Sequence, residues 1–174
     1  MLYVFGFARL AVVLSDLYFL DPEPDPGQEG AERGVRLELR VLDQLEQDGT
    51  IYASRPIVVG RPLWRVDLLE SLSNPGSLDR AHHHPRMRGW EPGGRRFDRE
   101  LTVDPIGWLG RCLAEVNEVA DVEGIGAEDL DELRGAVPEI LDAARRLLDR
   151  IADGQLARPP AGAESAPLIR AGWL

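Results

Sequence analysis

The chain has 174 residues, enough for one domain with a substantial core, and its 44% hydrophobic content is ordinary for a globular protein. All 20 basic residues are arginine, so a lysine general base, a lysine Schiff base and a P-loop lysine are excluded. A formal net charge of −10 argues against a surface that coats nucleic acid.

Residues 2–20 are rich in Val, Leu, Phe and Tyr and are interrupted by Gly6, which predicts one long bent strand or a tight hairpin. Arg9 and Asp16 break the apolar run, and no basic leader is seen. No stretch reaches the roughly 18 apolar residues needed to span a bilayer. The expectation is a soluble, cytoplasmic protein with no membrane partner. Pro22, Pro24 and Pro26 then remove backbone donors and fix φ, which predicts a loop up to Arg33.

Val35, Leu37, Leu39 and Val41 alternate with Arg36, Glu38 and Arg40, the pattern of a strand with one buried and one wet face. Asp48-Gly49 predicts a hairpin turn, with Ile51 to Val59 returning as the partner strand and Pro56 marking an edge or bulge. A fourth strand is expected over Leu63 to Glu70. On it Arg65 and Asp67 share one face, while Trp64, Val66 and Leu68 share the other. Residues 71–97 show no hydrophobic periodicity and read as a long loop, a kind of segment that is usually functional or disordered.

Asp104-Pro105 is an N-cap followed by proline at the first helical position. Ile106, Leu109, Leu113, Val116 and Ala120 then recur at helical spacing until Gly124. A helix from Ala127 to Arg134 opens with Glu128 and Asp129, and Gly135 and Pro138 are expected to end it. Pro138 starts the next, whose stripe is Ile140, Leu141, Ala144, Leu147, Leu148 and Ile151, ending at Asp153-Gly154. Trp108 and Cys112 fall beside or on these stripes, so both are expected in the core; a lone cysteine there is an inert thiol. Strands first and helices after imply an α+β fold: an antiparallel sheet of about four strands, covered by two or three C-terminal helices. One domain is expected over residues 1–153, made of strands (1–70), loop (71–97) and helices (104–153), with residues 154–174 a flexible tail.

The chemistry concentrates in the loop. All three histidines are consecutive, His82-His83-His84, and an extended backbone puts two rings on one side and one on the other. Imidazole binds metals, carries protons and titrates near neutral pH. His82 and His84 with a carboxylate from Asp67, Glu70, Asp79 or Glu91 would suit zinc, iron or manganese, so a divalent metal is a candidate cofactor. No histidine follows His84, so the second histidine motif of a cupin has no counterpart.

From residue 80 to residue 100 there are six arginines against three acids, a basic island in an acidic chain. Arg80, Arg86, Arg88, Arg95 and Arg96 are candidates to hold a phosphate bidentately beside a histidine acid or base, with Trp90 and Phe97 available for stacking on a nucleotide or nucleic-acid base. The same arginines could instead pair with Glu128, Asp129, Asp131 and Glu132.

Prolines before Gly27, then Arg36-Leu37-Glu38-Leu39, Asp48-Gly49, Arg65-x-Asp67, His82-His83-His84, Gly89-x-Glu91-Pro92 and Phe97 occur in that order. Over residues 22–110 this order resembles the small toxin subunits of TumE-type bacterial toxin–antitoxin modules. The resemblance implies a small intracellular effector neutralised by a partner protein, with Asp67, His82, His84 and Glu91 at the matching, candidate catalytic positions. Leu68 stands where that family carries a second acidic or amide residue, and the helical extension has no counterpart there. Three functional readings follow: a binding module centred on the His/Arg loop, a metal-dependent or histidine/arginine phosphodiesterase, and a structural protein that joins a protein partner or a second copy of itself.

Overall fold

Cross-strand pairing of the alternating segments builds an α+β fold in the computed structural model, which describes residues 1–24, 26–27 and 29–159. Five strands lie side by side in chain order: β1 (Leu2–Gly6), β2 (Leu10–Leu20), β3 (Ala31–Gln44), β4 (Ile57–Ser71) and β5 (His82–His84), every neighbouring pair antiparallel. The apolar N-terminus is therefore the hairpin of the two readings, turning at residues 7–9 with Phe7 N–H donated to the Leu10 carbonyl.

Ile51 to Val59 and Leu63 to Glu70 are not separate strands. They are replaced by the single strand β4, and residues 45–56 form a longer connection. Pro62 is accommodated because the β3–β4 register shifts on both sides of Arg40, where Arg40 pairs with Pro62 and donates its side-chain Nε–H to the Gly60 carbonyl at 2.8 Å. At the other end of this pair Gly34 is opposite Leu69, and a Cβ there would sit 2.0 Å from the Leu68 carbonyl oxygen, so only glycine allows the strands to close.

The second half carries α1 (Arg99–Val103), α2 (Pro105–Ala114), α3 (Val116–Val119) and α4 (Ala127–Ala152). Asp104 caps α2 as expected, its carboxylate accepting from Gly107 N–H at 2.9 Å. The stripe through Ala120 is broken after Ala114 into α2 and α3. Gly135 and Pro138 do not end a helix: α4 is continuous through both. Pro138 is on the exposed side, where a missing N–H strands no buried carbonyl, and Leu133, Ile140, Ala144, Leu147 and Ile151 hold both halves of α4 against the core.

One face of the sheet meets these helices. Val12, Leu14, Leu37, Leu39, Trp64, Val66 and Leu68 pack there with Leu109, Leu113 and the α4 stripe, while Val41, Leu141 and Leu148 are half-buried at its margin. Trp108 and Cys112 belong to this core, and burial pushes the Cys112 thiol up to about 12. Two polar contacts fasten the layers: Asp129 accepts from Arg9 N–H and Asp16 accepts from Ala157 N–H. Within the stretch expected as a tail, Ala157 is thus buried, and residues 160–174 lie outside the described residues. Among the described residues no helix is long and apolar enough to cross a membrane.

Candidate functional site

The opposite face of the sheet carries the charged residues that alternate with the core. Glu32, Arg36, Glu38 and Arg40 of β3 lie there beside Arg65 and Asp67 of β4, and β5 adds His82 and His84. Residues 71–97 are not irregular throughout. The three histidines form the edge strand β5, pairing His84 with Arg65, His83 with Val66 and His82 with Asp67. The free edge of β5 is covered in turn, because His83 exchanges both backbone hydrogen bonds with Arg96 at 2.9 and 3.0 Å. A small hairpin of β6 (Met87–Arg88) and β7 (Glu91–Pro92) then places Trp90 at its tip, with the Arg40 guanidinium 5.1 Å from its ring centre.

Pleating sends the middle histidine the other way. His83 enters the core between Trp64 and Trp108, with Trp64 Nε1–H directed at its Nδ1 across 3.4 Å and the Trp108 ring centre 5.1 Å away. Burial, followed by the nearby Arg96 charge, lowers its pKa to about 4, so it is neutral at ordinary pH.

His82 and His84 share the outer side with Asp67. All three are at least nine-tenths buried, and one ligand atom from each lies within 4.8 Å of the other two. Nε2 of His82 is 3.5 Å from Asp67 Oδ2, and Nε2 of His84 is 3.7 Å from the same oxygen. Two ligands each about 2.1 Å from a tetrahedral ion stand about 3.4 Å apart, so small inward movements would let all three reach one ion.

The tautomers follow from the second ring nitrogens. Nδ1 of His82 faces the Arg80 carbonyl and Nδ1 of His84 faces the Gly93 carbonyl, both at 2.8 Å. A carbonyl only accepts, so each Nδ1 carries the hydrogen. In the neutral rings both Nε2 lone pairs consequently point toward the carboxylate of Asp67. Lone pairs aimed at an anion repel unless a cation, a proton or a metal ion, sits among them.

Asp67 is itself fixed as an anion. Burial alone would raise its pKa, but a proton between His84 Nε2 and the carboxylate, together with the bidentate Arg36 contact, outweighs that and holds it at about 2; Arg36 Nε is 2.6 Å from Oδ1 and its Nη2 is 3.2 Å from Oδ2. His82 is pushed below the usual imidazole value, burial being the largest cause, which keeps its lone pair available at neutral pH.

A cleft of about 600 Å³ opens over this cluster. Glu91 lines it but is exposed and lies outside the close cluster. Glu70 is elsewhere: it faces the helix side, accepting from Arg33 Nε at 2.9 Å and from Gly76 N–H. Asp79 accepts from the Ser71 backbone and hydroxyl. Of the five candidate arginines only Arg95 lines the cleft. Arg80 stands beside buried Glu32 and donates to the Gly27 carbonyl, Arg86 lines a separate recess with Arg61 and Asp121, and Arg88 and Arg96 are exposed. Asp129 accepts from the Arg9 backbone N–H and Asp131 from the Arg134 guanidinium, rather than from the basic loop.

Arg36, Arg65 and Glu32 line the same cleft and were not candidates in the sequence. Alternation put them on the wet face, but the cross-strand register is what sets them beside the histidines. No family model, curated protein or solved structure matches the chain.

Proposed function

We propose that this protein is a binding module for a divalent transition metal, held by His82 Nε2, His84 Nε2 and Asp67 at the floor of the cleft. The observation that carries this reading is the pair of Nδ1–H bonds to the Arg80 and Gly93 carbonyls, which turn both Nε2 lone pairs onto one carboxylate oxygen. Metal-binding histidines characteristically donate their other ring N–H in this way, which sets tautomer and orientation. Two imidazoles and one carboxylate, with coordination positions left for other ligands, suit zinc, iron(II) or manganese. Arg36 supports the site by orienting Asp67: its bidentate contact uses one lone pair on each oxygen and leaves the second lone pair of each for a metal.

The test is metal content and calorimetry on untagged protein purified without a nickel column. One zinc or manganese ion per chain is expected, and His84→Ala should abolish binding while the circular dichroism spectrum stays that of the wild type. Wild-type protein that takes up neither ion stoichiometrically would overturn the reading.

A second reading is metal-assisted phosphodiester cleavage. It is favoured by the convergence on one cleft of Asp67, His82, His84 and Glu91, the positions that match the toxin-like pattern. Its support is narrower, since four of the five arginines expected to hold phosphate do not line that cleft. Hydrolysis of an activated phosphodiester that depends on added metal and is lost in Asp67→Asn would select it.

A further inference from the structure

The cleft above the histidines has a mixed lining. Arg36, Arg65 and Arg95 contribute to it with Asp67, Glu32 and Glu91, and Leu17, Phe19 and Trp90 add apolar surface. The three arginines and three carboxylates balance. The groups around them, Arg40 and Arg80 against Glu38, Asp21 and Asp79, differ by one negative charge. With neutral imidazoles the cleft is therefore close to neutral, and a divalent ion leaves it with two positive charges that its lining does not offset. An anion completes such a site.

The guanidinium groups decide which anion. Arg36 is bound by Asp67, Arg65 by Glu38 and Arg95 by Asp21, so they supply positive potential more than a set of donors for three phosphate oxygens. Glu32 and Glu91 oppose a second negative charge. A carboxylate needs only the metal and one positive neighbour. The volume of about 600 Å³ exceeds what a bare head group fills. One face of the Trp90 ring is covered by Arg40, and the side chain remains 61% exposed, so a flat surface is presented at the rim.

We infer that the cleft takes a small organic carboxylate, its carboxylate on the ion held by Asp67, His82 and His84 and its apolar or aromatic body against Trp90. This rests on the metal reading above.

The test uses untagged protein loaded with cobalt(II), whose visible bands report the coordination sphere. Benzoate, its neutral counterpart benzamide, phenyl phosphate and acetate are titrated separately into loaded and metal-free protein. Benzoate should shift the bands and bind more tightly than benzamide or phenyl phosphate. Trp90→Ala should weaken benzoate by about tenfold, the worth of one good ring contact, while acetate binding is unaltered. Cobalt bands that ignore benzoate, a preference for phenyl phosphate, or equal benzoate binding without metal would each overturn the inference and leave the metal site standing. Failure to bind cobalt at all would overturn both.

Discussion

His84 and Gly93 are nine residues apart and are joined by one 2.8 Å hydrogen bond, from the imidazole Nδ1–H to the Gly93 carbonyl. Gly93 can make that bond because its own N–H is donated to the Arg86 carbonyl at 2.8 Å, which closes the β6–β7 hairpin beneath the histidine. The approach is close: a Cβ at position 93 would stand 2.6 Å from the Arg86 carbonyl oxygen. The hairpin thus sets the tautomer of a ring on another strand.

Gly93→Ala should therefore loosen His84 without unfolding the protein, because the hairpin lies outside the hydrophobic core. Metal affinity is expected to fall by about 10- to 100-fold, as for loss of an outer partner of a ligating histidine. Calorimetry with zinc measures this alongside a thermal melt. An unchanged affinity would show that the Gly93 carbonyl does not orient the ring.

His83 makes stability depend on pH in a defined window. Its pKa is lowered to about 4 in the folded state from 6.5, so between these values the unfolded chain binds the extra proton and the folded chain does not. The stabilisation is complete above pH 6.5, shrinks as pH falls, and is lost in full once pH passes below about 4. Urea unfolding above and within that window should show the decline. His83→Gln keeps an acceptor for Trp64 and cannot titrate, so its decline should be shallower; an identical slope would remove His83 as the cause.

Leu39 is fully buried between β2, β4 and the helical layer, with Val12 and Trp64 opposite it in the neighbouring strands. Leu39→Ala should cost about 2–5 kcal/mol by lost transfer energy and the cavity left behind. Denaturant titration gives the value. A cost well below that range would mean that the sheet closes over the gap.

Pro138 interrupts the hydrogen bonding of α4 on its exposed side. Restoring the N–H with Pro138→Ala should stabilise the protein by about 1–3 kcal/mol, less than the full helix penalty of proline because the unfolded chain gains freedom. A melting temperature at or below that of the wild type would indicate that the proline itself is needed for the packing of Leu133 and Ile140.

Short-range patterns carried most of the architecture. Period-two alternation in residues 35–41 identified a strand with its apolar face in the core, helical spacing identified α2 and the second half of α4, and Asp104-Pro105 marked a helix start, because each signal depends only on neighbours along the chain. The face of that strand expected to be wet is largely covered, with Glu38 buried and Arg36 and Arg40 half-buried. The same period-two rule, applied to three adjacent histidines, separated His82 and His84 from His83 correctly. Local rules misplaced what tertiary packing overrode. Gly135 and Pro138 read as breakers, yet apolar contacts on both sides of them sustain α4. Ile51 to Val59 read as a strand, yet the bulges around Arg40 let one long strand run through Pro62 instead.

The site shows the same division more sharply. Residue types alone made His82, His84 and Asp67 candidates, since imidazole and carboxylate are the groups whose chemistry fits a metal. Alternation along β4 already set Asp67 and Glu70 on opposite faces, but which of them meets His82 and His84 is decided only by the register in which β5 pairs. Residue types could not draw Arg36 and Arg65 to the cleft either, or set Arg86 aside in another recess. Those assignments depend on the antiparallel register of three strands, a long-range property that only the folded sheet determines.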